Sequence, residues 1–453
     1  MAALGVADAL SLVWGGSPGA AGANQLVAVL AAAVLGGGAL SWIVFDQRLS
    51  RTPIAWVMAL ALVLRLVAIQ ASPLLEDDHF RYLWDGMRTA TAFDPYRLPP
   101  AAFFGVAELP ARWQDILSGI NNPDIPTIYG PLLQWLFALA YWIAPGRVEA
   151  IQGLLLAADM AVLALLVRQG IGARWLLAYA VHPLILKEAM ASAHPDGVVA
   201  LLLLLAMLAW QQRFAWRVGL MLGLAISTKV AALVALPLLL LAPMTTESNT
   251  FFPATSVRWL FQVAAGMTLA LAALYLPFLA INGGSDGEAL GIFGQHWRFN
   301  PLFYRLLEIV CTEPWTRTLA AAAITLGIAL IGWRWRRRAA WAADSPLPPL
   351  DMVLALLIVL SPVVNPWYWL WALPLSIRLG HGWVVAGGAV AVISYLNSTV
   401  LFEAGVWREA GSIVPYSVSW PLALVQMLVI VALMYHGSRD HRSRRSSAPH
   451  LRS

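Results

Sequence analysis

The sequence predicts an all-α, polytopic membrane protein of about 13 transmembrane helices with a long first external loop, and three observations carry that expectation. Apolar runs at 25–45, 53–72, 259–279 and 415–435 are each long enough for a helix of about 20 residues to cross a hydrocarbon core. Of the 453 residues, 60% are hydrophobic and 12% charged, with a mean hydropathy of +0.70, well above the roughly 45–50% apolar share of a soluble domain. The runs lack the alternation of barrel strands, so helices, which satisfy their own backbone groups, are the expected way across.

Arginine placement orients the runs. QRLSR (47–51), RQGIGAR (168–174), QQRFAWR (211–217), RWRRR (334–338) and the tail SRDHRSRRSSAPHLRS are expected on the cytoplasmic side, because short basic loops stay inside. With 47–51 inside, the run 53–72 travels outward and delivers LLEDDHFRYLWDGMRTATAFDPY (74–96) to the external face. Keeping the later arginines inside then requires two segments that do not cross. TIYGPLLQWLFALAYWIAP (127–145), with two prolines and a glycine, is expected to lie in the external leaflet. The run 218–243, with Ser227, Thr228 and Lys229 at its middle, is expected to fold as two half-length helices that turn there, since a lysine in mid-bilayer is costly. This map places the N-terminus outside and the C-terminus inside. No Lys or Arg occurs in the first 24 residues, so the first apolar run lacks a signal peptide's basic start and is expected to be retained.

Four regions follow: an extra N-terminal helix with its cytoplasmic loop (1–52), a catalytic transmembrane module (53–341) with external loops 73–148 and 281–316, a C-terminal helical bundle (342–436) that opens on the Pro-rich AADSPLPPL, and a basic cytoplasmic tail (437–453). The single cysteine, Cys311, excludes an internal disulfide and reads as a packing residue. The net charge of +5 sits in loops and tail, as membrane orientation requires, and gives no reason to expect nucleic acid as a partner.

Polar residues gather where the map puts the external face. Asp78, Arg81, Tyr82 and Asp85 stand at i, i+3, i+4 and i+7 and share a helix face. Arg81 is expected to neutralise one acid and leave another free. External turns add Lys187, Glu188, His194 and Asp196, then Lys229, then Asn365 and Tyr368 in SPVVNPWY, and the second long loop adds His296 and Arg298 in GQHWRFNP. The bland alternative for each is a snorkelling, capping or solvated residue. Together they suit transfer of a sugar carried on a polyprenyl phosphate: cations hold the lipid phosphate and a carboxylate takes the proton of an acceptor hydroxyl. No P-loop, and no GxGxxG after a strand, is present, so no nucleotide cofactor is expected. A flippase or transporter of a lipid-linked sugar is the competing class, but the repeat halves common in transporters are not visible.

EDDHFRYLWDG with FDPY, NNPDIPTIYGPLLQ, HPLILKEAMASAHPDG, ISTKVAAL, YLPF and SPVVNPWYWLW resemble the bacterial GT-C class of integral-membrane glycosyltransferases, especially the polyprenyl-phosphomannose-dependent α-mannosyltransferases. The resemblance implies a catalytic aspartate in the first external loop, matched by position to Asp77 or Asp78, and inversion at the anomeric carbon. It implies a phosphate-binding cation at Arg147 and a second cationic pair at His296 and Arg298. On this reading Asp77, Asp78, Arg81 and Asp85 are the catalytic group, with Asp77 as base and an optional divalent cation, Mg or Mn, on Asp77 and Asp78. Arg147, Lys229, His296 and Arg298 bind the donor phosphate. Tyr82, Tyr96, Tyr129, Lys187, Glu188, His194, Asp196, Asn365 and Tyr368 line the substrate site. The expected partners are a polyprenyl-phosphate mannose donor, a glycan or lipid acceptor and the lipids of a bacterial inner membrane. Two departures stand out: the family's NPY is DPY at Asp94–Tyr96 and its YPP is YGP at Tyr129–Pro131.

Overall fold

The computed structural model describes residues 46–71, 77–242, 255–339, 346–394 and 420–446, together with Leu40, Ile43 and Pro73. The expected N-terminal span at 25–45 (save Leu40 and Ile43), the start of the Pro-rich linker (342–345), Glu76 and the end of the tail (447–453) lie outside the described residues. Within them the chain is helical throughout and has no strand, only an isolated β-bridge between Phe299 and Val363.

After a 3-10 turn at Gln47–Arg51, α1 (Ile54–Ile69) begins behind Pro53. Then α2 (Asp78–Ala92) and α3 (Ala111–Ser118) build the first loop, and α4 (Pro131–Ile143) starts on a proline at its first turn, where a missing amide hydrogen costs nothing. Next come α5 (Val148–Arg168), α6 (Ala173–Ala180), a π-helical segment (Ile185–Ala191) and α7 (Asp196–Gln211). A half-length pair follows: α8 (Ala215–Ile226), then a 3-10 segment (Val230–Ala235) running into α9 (Leu236–Leu239). Helices α10 (Thr255–Asn282), α11 (Gly287–His296), α12 (Tyr304–Val310) and α13 (Trp315–Ala339) precede α14 (Leu350–Leu360). A 3-10 segment (Pro366–Trp371), α15 (Leu373–Leu379), α16 (Gly382–Val390) and α17 (Trp420–Ser446) complete the order.

Far fewer helices span in one piece than the expected 13 crossings suggest. Among the described residues three are long and apolar enough to cross a membrane: Val148–Arg168, Val257–Ile281 and Trp315–Arg338, with a fourth if the π-helical segment and α7, bent by 109°, count together. The other apolar helices are 10–17 residues long. Within the described residues the expected spans are interrupted by breaks that sequence hydropathy smooths over, at His182–Pro183, Ser192–Pro195, Ser227–Lys229 and Ser361–Asn365.

The break at Ser227–Lys229 reverses the chain, as expected. The indole of Trp210, just before α8, donates to the Leu241 carbonyl at 2.8 Å, and Trp259 donates to Leu239 at 3.1 Å. The chain that leaves at 215 has therefore returned to the same level by 241, and each arm of the hairpin is about 18 Å long. Alongside it α8 and α10 touch backbone to backbone: a Cβ on Gly219 would meet the Val263 carbonyl at 1.9 Å, and one on Gly266 the Trp216 carbonyl at 2.1 Å. Gly219 and Gly223 form a GxxxG pair, the spacing that lets membrane helices approach this closely.

Two ends of the bundle can be told apart. Gln152, near the start of α5, donates to the carbonyls of Met190 and Ala191 at 2.7 and 3.1 Å, so α5 and α7 begin at one end and run the same way. Their arginine-bearing ends, 168–174 and 211–217, share the other end, joined by α13 through Arg336, which donates to Ala242 at 2.8 Å. The 3-10 turn with Arg48 and Arg51 packs against α6 there. All helix breaks that carry the candidate site lie toward the opposite end.

Arg65, in α1, carries its charge inside the bundle. It is fully buried, and its Nε donates to Asp159 Oδ2 at 2.5 Å while Tyr179 OH donates to Asp159 Oδ1 at 2.7 Å. Its remaining donors reach the carbonyls of Ala180 (2.7 Å) and Ala61 (3.2 Å). Ala180 is where α6 stops, so the guanidinium caps a helix that ends within the bundle. Removing one partner from such a pair is costly because the other charge stays buried. Asp159→Leu is expected to lose about 3–5 kcal/mol of stability, and Arg65→Met with Asp159→Leu to recover most of it; thermal unfolding of the purified protein in detergent measures both.

Candidate active site

The acid pair sits where the first loop becomes a helix. Asp77 is the residue before α2 and Asp78 its first residue, so both carboxylates lie at a helix N-terminus, where negative charge is favoured. The NNPDIPTIYGP loop folds over them. Asn121 Nδ2 donates to Asp77 Oδ1 at 2.5 Å and to Asp78 Oδ1 at 3.1 Å. Tyr129 OH donates to Asp78 Oδ2 at 3.3 Å, with Tyr82 OH 3.5 Å from the same oxygen. Burial, and after it the Asp78 charge, push the Asp77 carboxyl up to about 6.

Arg81 departs from expectation. Its guanidinium turns from the acids and donates to the carbonyls of Ile125 (3.1 Å), Asn122 (3.0 Å) and Asn121 (3.5 Å). It thereby fastens the loop that carries Asn121, holding the acid pair through a second residue. Asp85, two turns along α2, is buried against Gln134 (3.3 Å) and hydrogen-bonds Thr127. Burial pushes it up to about 6 as well, but its contacts anchor α2 to α4 and do not join Asp77. Asp94, the departure from NPY, pairs with Arg88 at 2.5 Å, and Arg88 stacks on Phe103 at 4.3 Å. Within this structure that aspartate closes the C-terminal end of α2.

Tyr129 is the hub. Its carbonyl accepts from Tyr96 OH at 2.9 Å and from Gln134 at 3.2 Å, and its ring lies 5.3 Å from Lys229 Nζ. Tyr368 flanks the same ammonium at 5.6 Å. Lys229 Nζ also stands 3.3 Å from Asp196 Oδ1, which accepts from Trp371 Nε1 at 2.6 Å. The hairpin turn thus sets its lysine against the same Tyr129 whose hydroxyl donates to Asp78. The next residue explains YGP: a Cβ on Gly130 would meet the Ser227 carbonyl at 2.1 Å, and Leu132 N–H donates to that carbonyl at 3.1 Å. The loop and the hairpin turn touch here, and no side chain fits between them.

The remaining expected residues divide. His194, Glu188 and Asp196 were expected to line the substrate site, yet all three are fully buried. The bent junction ahead of α7 turns them inward: His194 stacks on Trp367 at 3.9 Å and its Nδ1 meets Tyr82 OH at 2.9 Å, while Glu188 lies 3.6 Å from His194 Nε2 and 3.2 Å from Lys187 Nζ. These side chains, with the buried Tyr82, back the site wall and do not line it. Asn365 precedes the 3-10 segment that presents Tyr368 and hydrogen-bonds its hydroxyl. Arg147 stays apart, 60% exposed beside Glu149 at 3.4 Å. Arg298 is engaged by Glu308, and His296 is exposed at the end of α11. Their loop is nonetheless tied in, since Phe299 N–H donates to Pro362 at 3.1 Å and Val364 N–H to Phe299 at 2.7 Å.

Beside Lys229 opens a cavity of about 860 Å³. One wall is the returning arm of the hairpin from Lys229 to Leu241, and another is α13 from Thr325 to Arg336, where Ala329 and Gly332 leave room. The cavity therefore runs along most of the bundle's depth and has Lys229 and Tyr368 at the site end. Val230 and Leu233 in its lining are 47% and 46% exposed, which leaves apolar surface uncovered along this arm.

A family model described as alpha-(1->6)-mannopyranosyltransferase, N-terminal domain, matches residues 4–245. The chain belongs to this family. It is a mannosyltransferase of GT-C type, as the motifs of the first external loop implied. The match covers the acid pair, the bent junction and the whole hairpin, and ends before α10. No curated protein matches the chain, and neither does any solved structure.

Among the described residues no group of three or more His, Cys, Asp or Glu side chains forms a metal cluster. Asp77 and Asp78 offer two converging carboxylate oxygens, a set that suits a hydrated hard cation completed by substrate oxygens; the Asn121 amide bridges them here.

Sequence reasoning passed over Asn121, Gln134 and Trp371, and noted Gly130 only as a departure from YPP. The doubled asparagine before Pro-Asp was a signal for a turn with side-chain hydrogen bonds; nothing in the sequence pointed to the indole of Trp371. Gly130→Ala is expected to force the loop and the hairpin turn apart, costing about 1–3 kcal/mol and at least about tenfold in mannosyl transfer. Thermal unfolding and an activity assay on the same preparation check this, and wild-type values for both would contradict the contact.

Proposed function

We propose that this chain is an inverting α-mannosyltransferase that takes mannose from a polyprenyl-phosphate donor and passes it to a hydroxyl of a glycan or lipid acceptor at the external face of the inner membrane. One observation carries the reading. A carboxylate pair, bonded to the Tyr129 hydroxyl through Asp78, and a lysine 5.3 Å from the Tyr129 ring gather around one residue, and the lysine heads an apolar cavity lined in part by the exposed Val230 and Leu233. A lipid phosphate needs an apolar path for its chain and a cation for its head, and Lys229 with the cavity supplies both.

In this reading the prenyl chain enters between Val230 and Leu233, and the phosphate meets Lys229. The mannosyl C1 then faces Asp77 across Tyr129. Asp77, raised to about 6, is ionised near neutral pH yet basic enough to take the acceptor proton as the new bond forms. Asp78, fixed by Asn121, Tyr129 and Tyr82, keeps Asp77 basic by its charge. Lys229 meets the charge that grows on the leaving phosphate, in a site already built before the reaction. His296, Arg298 and Arg147 serve as outer contacts for the same phosphate or for an anionic acceptor. The arginine-bearing end is cytoplasmic and the site end external. The family's printed linkage, α-(1→6), is the linkage expected of the product.

A panel of polyprenyl-phosphate sugars assayed with the purified protein tests the donor. Mannose transfer from polyprenyl-phosphomannose is expected; transfer from a nucleotide sugar alone, or lipid movement across a liposome without transfer, would overturn the reading. Asp77→Asn is expected to lose about 10²- to 10⁴-fold in kcat while the protein remains inserted and folded.

The pH profile is a separate test. A base acts when deprotonated, so kcat/KM should rise about tenfold per pH unit below about 6 and level off above it. Because Asp85 also lies near 6, Asp85→Asn is the control. It is expected to keep the acid limb, and loss of that limb would move the base assignment from Asp77 to Asp85.

A further inference from the structure

The transfer changes the charge of what sits on Lys229. The donor is a phosphodiester with one negative charge. When the C1–O bond breaks, its electron pair stays on the phosphate oxygen, the acceptor oxygen bonds C1, and the acceptor proton goes to Asp77. The lipid product is then a phosphomonoester, whose second ionisation near pH 6 makes it largely a dianion at neutral pH. A bare lysine would hold this product more firmly than the donor it must next receive.

Lys229 is not bare. Asp196 Oδ1 lies 3.3 Å from its Nζ, and Asp196 is fully buried. Besides the lysine the carboxylate accepts on Oδ1 from Trp371 at 2.6 Å, while its Oδ2 is buried with no hydrogen-bond partner. A structural acceptor for one indole would be served equally by an amide. A buried carboxylate with one bare oxygen carries a desolvation cost, which the Lys229 charge and the Trp371 hydrogen bond offset. Its position as the first residue of α7 adds support for the ionised form from the helix N-terminus.

We propose that Asp196 is a positioning residue that sets the charge of the phosphate seat, offsetting Lys229 so that the product dianion is released in favour of the donor monoanion. This rests on the polyprenyl-phosphate reading above. Asp196 touches neither sugar nor phosphate; it acts through Lys229, and its second oxygen adds repulsion that doubles when the phosphate gains its second charge.

Equilibrium binding of polyprenyl phosphate to the full-length protein in detergent tests this without turnover. At pH 7.5 Asp196→Asn is expected to bind the product about tenfold more tightly than wild type and to show a lower kcat with stronger product inhibition. At pH 5.5, where the phosphate is singly charged, the gain should shrink to about threefold or less, since the energy scales with ligand charge. Trp371→Phe removes the hydrogen bond but keeps the charge, and should leave the preference between phosphodiester and phosphomonoester as in wild type. If Asp196→Asn does not insert, Asp196→Ser carries the same expectation. Unchanged or weaker product binding in the folded variant, or an equal gain at both pH values, overturns the proposal. Transfer failing with polyprenyl-phosphomannose while the charge-dependent gain persists would sink the donor reading alone; transfer with no gain would sink this one alone.

Discussion

Backbone groups freed where a helix stops within a membrane must find partners inside the protein, because lipid offers none. This constraint organises the whole fold. Arg65 takes the carbonyls left by the end of α6, the His182 ring receives the Leu184 amide at 3.3 Å, Gln152 covers Met190 and Ala191, and the Ser227 carbonyl is taken by Leu132. Apart from His182 and Leu184, each of these pairs joins different stretches of chain. The stops are therefore also the places where distant segments are tied together, and three of them converge at one end of the bundle.

That convergence explains why the site is built from polar residues in apolar surroundings. A continuous helix would bury Lys229 at mid-span, where an ammonium is expensive. Breaking the segment at Ser227 moves it to a turn beside Tyr129, Tyr368 and Asp196. The bent junction does the same for Glu188 and His194. Irregular backbone and buried charge here share one solution: each break supplies the charge and the bend that places it.

Much of this was legible in the sequence, and the limits have physical causes. The helical class followed from hydropathy, and the reversal at Ser227–Lys229 followed from a lysine that could not stay in lipid. The acid pair was visible because adjacent carboxylates after an apolar run are hard to explain otherwise. Arg81 was misjudged because helix spacing says which residues share a face but not that a loop 40 residues later offers three carbonyls. His194, Glu188 and Asp196 were placed on the wrong side of the wall, since no periodicity reports a 109° bend. The α8–α10 contact had a readable GxxxG signature that hydropathy alone conceals.

The bridge between Phe299 and Val363 sets how the site exchanges its contents. Two backbone hydrogen bonds hold the loop at Phe299 to the turn ahead of Asn365, so this roof is tied to the bundle. Under the proposed function traffic would be divided by direction: the long lipid would pass beside Val230 and Leu233, and the acceptor would come from the end that carries the acid pair. A donor with most of its chain still dissolved in the bilayer would then be exchanged without extraction from the membrane, and under the proposed function the enzyme would work as a lateral dock on a two-dimensional pool of substrate.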